Sequence, residues 1–328
     1  MRDEAHRLAL VVDLGGTKTI AAVVSPAGKI ISQRRCLTRS DKGARGVLKQ
    51  LLLLMKDTVL QARLEPSELE GIAIACAGII DMRKGMVTMS PNIPGFSGIR
   101  LRDMVEREFG VRSYVLNDAS AAAWGEYCFG AGRGVKNMVY LTVSTGIGGG
   151  IITNGQLYLG ADGCAGEIGH MIIKKDGPQC KCGSHGCLEA LVSGWAVTRE
   201  AIEHLKRGEE SSIIRLASGK IENITAATIS LAAKQGDLVA REVIAGAASY
   251  LGVGLANLIN IFNPELIIIG GGLSRMGNML LQPARKVAEQ AAFTLPSRTV
   301  RILRARFITH AGILGAAAYV FSQERRRL

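Results

Sequence analysis

No uninterrupted apolar run among the 328 residues reaches the about 20 needed to span a bilayer. The start, Met1 to Arg7, is polar and leads straight into an apolar stretch, so the basic-apolar-small pattern of a secretory signal is missing. A low-complexity linker is missing too. Acidic residues are the minority, 28 against 40 lysines and arginines, for a formal net charge of +12. The basic residues are spread along the chain, and the one dense run is Arg325-Arg326-Arg327 at the C-terminal end. Such spacing describes a solvated basic surface better than a nucleic-acid groove, and it suits an anionic substrate such as a nucleotide. The expectation is a cytoplasmic protein of about two domains, with no membrane or nucleic-acid partner.

The seven cysteines are unevenly placed. Cys180, Cys182 and Cys187 fall within eight positions, whereas Cys36, Cys76, Cys128 and Cys164 are isolated. A reducing compartment disfavours structural disulfides, so the cluster points to a metal and the isolated four to the core.

What is present reads as α/β. Leu8 to Val12, Ile20 to Val24 and Lys29 to Ile31 predict three antiparallel strands, joined by Asp13-Leu14-Gly15-Gly16-Thr17-Lys18 and by a Pro/Gly turn. The same grammar returns at Met138 to Val143, Ser144-Thr145-Gly146-Ile147-Gly148-Gly149-Gly150 and Ile151 to Thr153, before the hairpin signal Asn154-Gly155. Two units that each open with strand, polar glycine loop and strand suggest duplication around a shared cleft. Helices are expected at 46–60, 101–109, 119–127, 194–207, 225–234, 238–262 and 311–322. A strand at Leu266 to Ile269 runs into Gly270-Gly271-Gly272.

The glycine clusters let backbone approach phosphate oxygens, and their N–H groups form anion nests. The hydroxyls of Thr17 and Thr145 and the ammonium of Lys18 add donors, and Asp13 is a candidate for Mg²⁺, directly or through water. None of the clusters has the spacing of a P-loop, and the first two lack the strand-to-helix setting of a dinucleotide fold. Asp118 follows the strand Val115-Leu116-Asn117 and opens a helix. Either capping or general-base chemistry fits it, although the positive end of a helix lowers a carboxylate pKa. Cys180, Cys182, Cys187 and the upstream His170 make a Cys₃His set, a full tetrahedral site for structural Zn²⁺, with His185 as the competing fourth ligand. Such a site would aim the flanking carboxylates Glu167 and Glu189 at a substrate.

Taken together, Asp13-x-Gly15-Gly16-Thr17-Lys18, Ser90-Pro91-Asn92, Leu116-Asn117-Asp118, Ser144-Thr145-Gly146-x-Gly148-Gly149, Gly166-Glu167-Ile168-Gly169-His170 and Cys180-x-Cys182-Gly-x-x-Gly-Cys187-x-Glu189 resemble the ROK family of sugar kinases and repressors over essentially the whole chain. The resemblance implies an actin-like, ribonuclease H-like two-domain fold with a hinged interdomain cleft. The smaller domain would comprise 1–118 with 311–328, and the larger 119–310. It implies ATP with Mg²⁺ between the domains, on Asp13, Gly15, Gly16, Thr17, Lys18, Thr145, Gly146, Gly148, Gly149, Gly271 and Gly272. A hexose would be bound by Asn92, Asn117, Asp118, Glu167, His170 and Glu189, with Asp118 deprotonating its 6-hydroxyl as that oxygen attacks the γ-phosphate. Glucose is the first expectation and N-acetylmannosamine the second. Fructose, N-acetylglucosamine, allose and a polyphosphate donor are further options, and a dimer or tetramer is implied. Ala77 departs from the proline that many members carry before Gly78. Repressors of the family place a helix-turn-helix before the first phosphate loop, for which the residues ahead of Asp13 leave no room.

Overall fold

The computed structural model describes residues 7–90 and 93–325. The described residues form two compact units: those within 1–136, 150–166 and 309–328 make the first, and those within 137–149 and 167–308 the second.

The first unit is built on the five-stranded sheet β3-β2-β1-β4-β7. Its strands are β1 (Leu8–Leu14), β2 (Lys18–Val24), β3 (Ile30–Leu37), β4 (Leu69–Cys76) and β7 (Ser113–Asn117). The opening meander is antiparallel, as its turn chemistry predicts, while β4 and β7 add in parallel. Parallel strands need crossovers, here α1 (Gly43–Gln61) and α2 (Leu101–Phe109). A short hairpin, β5 (Ile79–Asp81) and β6 (Met86–Met89), lies between β4 and α2. Leu10, Val12 and Leu14 alternate onto the core that also holds Leu51, Met55, Ile72, Ile74, Val105 and Phe109. The opposite face is covered by α11 (Ala311–Arg325), with α3 (Asp118–Phe129) packed along it. Two glycines permit this: a methyl group on Gly71 would meet Val320, and one on Gly125 would strike the carbonyl of Ala311.

The second unit centres on the sheet β10-β9-β8-β11-β12, and the chain passes back to the first unit within β9. These strands are β8 (Met138–Val143), β9 (Ile147–Thr153), β10 (Gln156–Leu157), β11 (Leu266–Gly270) and β12 (Arg301–Arg304). The helices are α4 (Leu188–Val192), α5 (Gly194–Lys206), α6 (Ile213–Leu216), α7 (Ala226–Lys234), α8 (Leu238–Phe262), α9 (Asn278–Ala291) and α10 (Thr294–Thr299). The 25 residues of α8 are long and apolar enough to cross a bilayer, although Arg241 and Glu242 keep the sequence from showing an unbroken run. It packs against α4, α5, α7 and α9 as a core helix. Asp237 caps it by accepting from the Ala240 N–H at 2.8 Å, and Asn263 ends it in the left-handed region.

Two expectations differ from what is observed, and one long helix has no counterpart among the expected ones. The division keeps α3 and the 150–166 segment with the first unit, whereas the expected boundary falls at 118/119. The reason is physical, because α3 is bound to α11 along its length. The long helix without a counterpart is α9, which accommodates Pro283 in its interior. Of the four isolated cysteines only Cys76 is fully buried, and Cys36, Cys128 and Cys164 are half-exposed.

Candidate active site

In the first unit, register places the acidic groups. Asp13, Ala75 and Leu116 are level across β1, β4 and β7, and Leu14, Cys76 and Asn117 form the next rung. Asp13, in β1, and Asp118, which follows β7, therefore lie at the same C-terminal end of the strands of one sheet. Asp13 faces α11, where a methyl group on Gly312 would stand 3.5 Å from its Oδ2. Burial, helped by the charge of Asp118 and opposed by Lys18, pushes the Asp13 carboxyl up to about 6. Burial also raises Asp118, outweighing its hydrogen bond from the Ala119 N–H. That reverses the expectation from the helix dipole alone, since desolvation of the whole group outweighs the two N–H groups, of Ala119 and of Asp118 itself, that the helix start offers.

The helix cap belongs to Asn117. Its Oδ1 accepts from the Ala119 and Ser120 N–H groups, at 2.9 and 3.0 Å, and its Nδ2 donates to the Gly78 carbonyl at 3.0 Å. Asp118 Oδ1 accepts from the adjacent Ala119 N–H at 2.9 Å, and its own backbone N–H also bonds the carboxylate. Asn92 lies outside the described residues.

The first glycine loop is closed by Gly15 N–H donating to the Lys18 carbonyl at 3.1 Å, and Thr17 and Lys18 stand exposed. Thr38 supports it from β3's end. Its hydroxyl donates to the Gly15 carbonyl at 2.6 Å, and its N–H donates to the Thr17 carbonyl at 2.9 Å. Sequence reasoning missed Thr38, because the contact is set by the pairing of β2 with β3.

In the second unit the adjacent parallel strands β8 and β11 end side by side, with Thr142 level with Gly270. The loop after β8 turns tightly, Ser144 N–H donating to the Gly146 carbonyl at 2.8 Å, and holds Thr145 exposed. Gly148 and Gly149 fall inside β9 rather than in the loop, and Gly149 is buried. After β11, Gly271 has φ of 80°, and any side chain there would strike the Val143 carbonyl. Gly272 is exposed beside Ser144 Oγ and starts a 3-10 turn, with the Ser274 hydroxyl donating to the Gly271 carbonyl at 2.7 Å.

The second unit also carries the thiol cluster. The ligand atoms of His170, Cys180, Cys182 and Cys187 lie within 4.8 Å of one another. Cys182 and Cys187 sulfurs are 3.7 Å apart, and Cys180 Sγ is 3.8 Å from His170 Nδ1. Metal–sulfur bonds of about 2.3 Å in a tetrahedron give edges of about 3.8 Å. The donor set and spacing thus fit a tetrahedral metal ion, with no ligand position left over. His185 is exposed and outside this group. His170 turns Nδ1 to the sulfurs and Nε2 to Glu167, whose Oε2 is 3.9 Å away. Glu189, two residues past Cys187, is already engaged: its Oε2 accepts from the Ile147 N–H at 2.8 Å.

Glycine turns at the ends of strands in two α/β units, the first beginning with an antiparallel meander and a carboxylate, define an actin-like ATPase fold. The ROK family model matches residues 9–323, and the chain belongs to the ROK family. It is 38% identical over 312 residues to a glucokinase of Thermotoga maritima, covering 94% of this chain and 96% of that one. An N-acetylmannosamine kinase of Yersinia pseudotuberculosis is 33% identical over 311 residues, covering 94% and 97%. The crystal structure of a ROK family glucokinase from Streptomyces griseus in complex with glucose and AMPPNP matches with a TM-score of 0.84 at 36% identity, over 96% of this chain and 99% of that one.

Proposed function

We propose that the chain is an ATP-dependent hexose kinase that transfers the γ-phosphate of ATP to the 6-hydroxyl of glucose. The observation that carries this is Asp118, a desolvated carboxylate close enough to Asp13 for their charges to interact, at the end of a sheet. The 6-oxygen attacks the γ-phosphorus, the bond from that phosphorus to the β–γ bridging oxygen breaks, and ADP leaves with the bond pair. The hydroxyl proton passes to the Asp118 carboxylate. Positioning and charge stabilisation do most of the work in such transfers, so the base accepts its proton late. A raised pKa suits that role, because it makes the carboxylate a better acceptor.

Asp13 is the residue to hold Mg²⁺, which neutralises charge on the phosphates when bound. The exposed Thr17, Lys18 and Thr145 supply donors to phosphate, with backbone N–H groups of Gly15, Gly16 and Gly146, while Gly271 and Gly272 accommodate the rest of the nucleotide. Glu167 and His170 Nε2, 3.9 Å apart, bind sugar hydroxyls in this reading, and Asn92 joins them. Asn117 acts on the sugar through its tether to Gly78 and by fixing the start of α3. His170, Cys180, Cys182 and Cys187 hold Zn²⁺, which closes the knuckle and leaves the reaction to the carboxylates.

An ADP-release assay across a hexose panel tests the activity. Glucose is expected to give the highest kcat/KM. Turnover preferring N-acetylmannosamine would move the assignment to the second kind of relative, and silence on every sugar with MgATP would sink the kinase reading.

The compartment we infer is the cytoplasm, supported by the ATP requirement and by the cluster of reduced thiols at Cys180, Cys182 and Cys187. Exposed Ile261, Phe293 and Leu295 in the second unit support a homo-oligomer, a dimer or tetramer. Elemental analysis of the purified protein is expected to give about one zinc per chain, and sedimentation a dimer or tetramer. A metal-free protein of undiminished thermal stability would refute the zinc assignment, and a monomer at assay concentration the oligomer.

A further inference from the structure

The carbonyls of the first glycine loop are tied down one after another. The Gly15 carbonyl accepts from the Thr38 hydroxyl at 2.6 Å, the Thr17 carbonyl from the Thr38 N–H at 2.9 Å, and the Lys18 carbonyl from the Gly15 N–H at 3.1 Å. Two of these three bonds come from one residue. Thr38 is only 1% exposed and follows the last residue of β3. Behind it stands a second buried hydroxyl, that of Thr19, whose Oγ1 is 3.0 Å from Thr38 Oγ1. A threonine hydroxyl has one proton to give. Thr38 gives its proton to Gly15, so it accepts from Thr19, and the bonds run in one direction from Thr19 through Thr38 to the Gly15 carbonyl. In such a chain each bond polarises the next and strengthens it.

We infer that the Thr19–Thr38 pair is a lock on the Gly15–Gly16 peptide plane, which keeps the Gly16 N–H turned toward a phosphate oxygen of the nucleotide. The inference rests on the kinase reading and adds two positioning residues to it. In a trans peptide the C=O and the N–H of one plane point in opposite directions. The Gly15 carbonyl points inward to Thr38, so the Gly16 N–H points away from the buried pair. A flipped plane would present a carbonyl to the phosphate and repel it. The flip turns ψ of residue 15 and φ of residue 16, and both are glycines, with no Cβ to resist it. The freedom that lets this loop approach a phosphate therefore needs a restraint from outside the loop, and the hydroxyl pair is placed to supply it.

Thr38→Val removes the hydroxyl while keeping the side-chain shape and the N–H that holds Thr17. Calorimetric titration of the full chain with MgADP, without sugar, is expected to show about tenfold weaker binding in this variant, with glucose affinity within about twofold of wild type. Thr38→Ser restores the hydroxyl and is expected to bind MgADP within about threefold of wild type. Thr19→Val leaves the bonds from Thr38 to the loop but ends the chain behind them, and a loss of about two- to threefold is expected. In amide NMR spectra the Gly16 resonance is expected to be a single sharp peak in the wild type and in Ser, and split or broadened in Val as the plane samples both faces. A hydroxyl of merely structural value would lower the thermal stability of Val and leave its MgADP affinity and Gly16 resonance alone. That result would overturn the inference, as would a loss of affinity in Ser equal to that in Val. If the Thr38→Val protein fails to fold, Thr19→Val decides, and an unchanged MgADP affinity and Gly16 resonance there would overturn the inference. A wild type that binds no MgADP would overturn the kinase reading and the inference with it, whereas a wild type that binds it, with Val unaffected, would overturn the inference alone.

Discussion

Asp118→Asn is expected to lower kcat by about 10²- to 10⁴-fold while the glucose KM and the folded structure change little. The asparagine keeps an oxygen for the Ala119 N–H, so the start of α3 survives, and Asn117 in any case supplies the main cap. What is lost is the proton acceptor. A structural role for Asp118 would instead lower thermal stability, and a purely binding role would raise KM with kcat intact. Rapid-quench measurement of the first turnover checks the origin of the loss, because slow product release would leave that turnover fast. Turnover of Asp118→Asn within about threefold of wild type would remove Asp118 as base and leave positioning alone to account for the rate.

Much of this was legible in the sequence, and the rest was not for definite reasons. The meander β1–β3 and the strands β8 and β11 announced themselves through apolar runs broken by glycine turns. Helix α8 was legible end to end because Asp237 caps it and Asn263 stops it. The thiol cluster was legible because all three cysteines sit within one short loop. Contacts between remote segments were hidden. Nothing local marks Thr38 as the support of the Gly15 turn, since strand pairing brings them together across 23 positions. Nothing local pairs Glu189 with Ile147, 42 positions away. The sequence also over-extended the second glycine loop. Gly148 and Gly149 look like loop residues, but the close approach of α3 accounts for the small residue next to them, because a methyl group on Gly150 would meet the Ala123 side chain. Glycine in a strand serves packing as readily as phosphate. Asn117 shows the same ambiguity for a polar side chain, since its hydrogen-bonding groups are taken up by the helix start and by Gly78.

Asp13→Asn is expected to stabilise the cation-free protein at about pH 8 by on the order of 2–3 kcal/mol, and to do nothing for it below about pH 4. The sign follows from the direction of the shift. The Asp13 carboxyl is raised from 3.8 to about 6 in the folded chain. A raised carboxylate is held preferentially in its neutral form, so the stability tied to that form is complete below about 4 and is lost as pH rises through about 6. Asparagine is neutral throughout and never loses it. Urea unfolding of both proteins across this range, without Mg²⁺ or nucleotide, is the measurement. Equal stability at every pH, or a wild type more stable at pH 8, would contradict the assignment. The same unfolding repeated with Mg²⁺ and ADP is expected to favour the wild type, because a bound cation answers the charge that burial and Asp118 leave uncompensated. Lys18 opposes the shift without cancelling it. The first unit thus stores electrostatic strain at Asp13 that Lys18 leaves unrelieved, and under the proposed function a bound Mg²⁺ would relieve it.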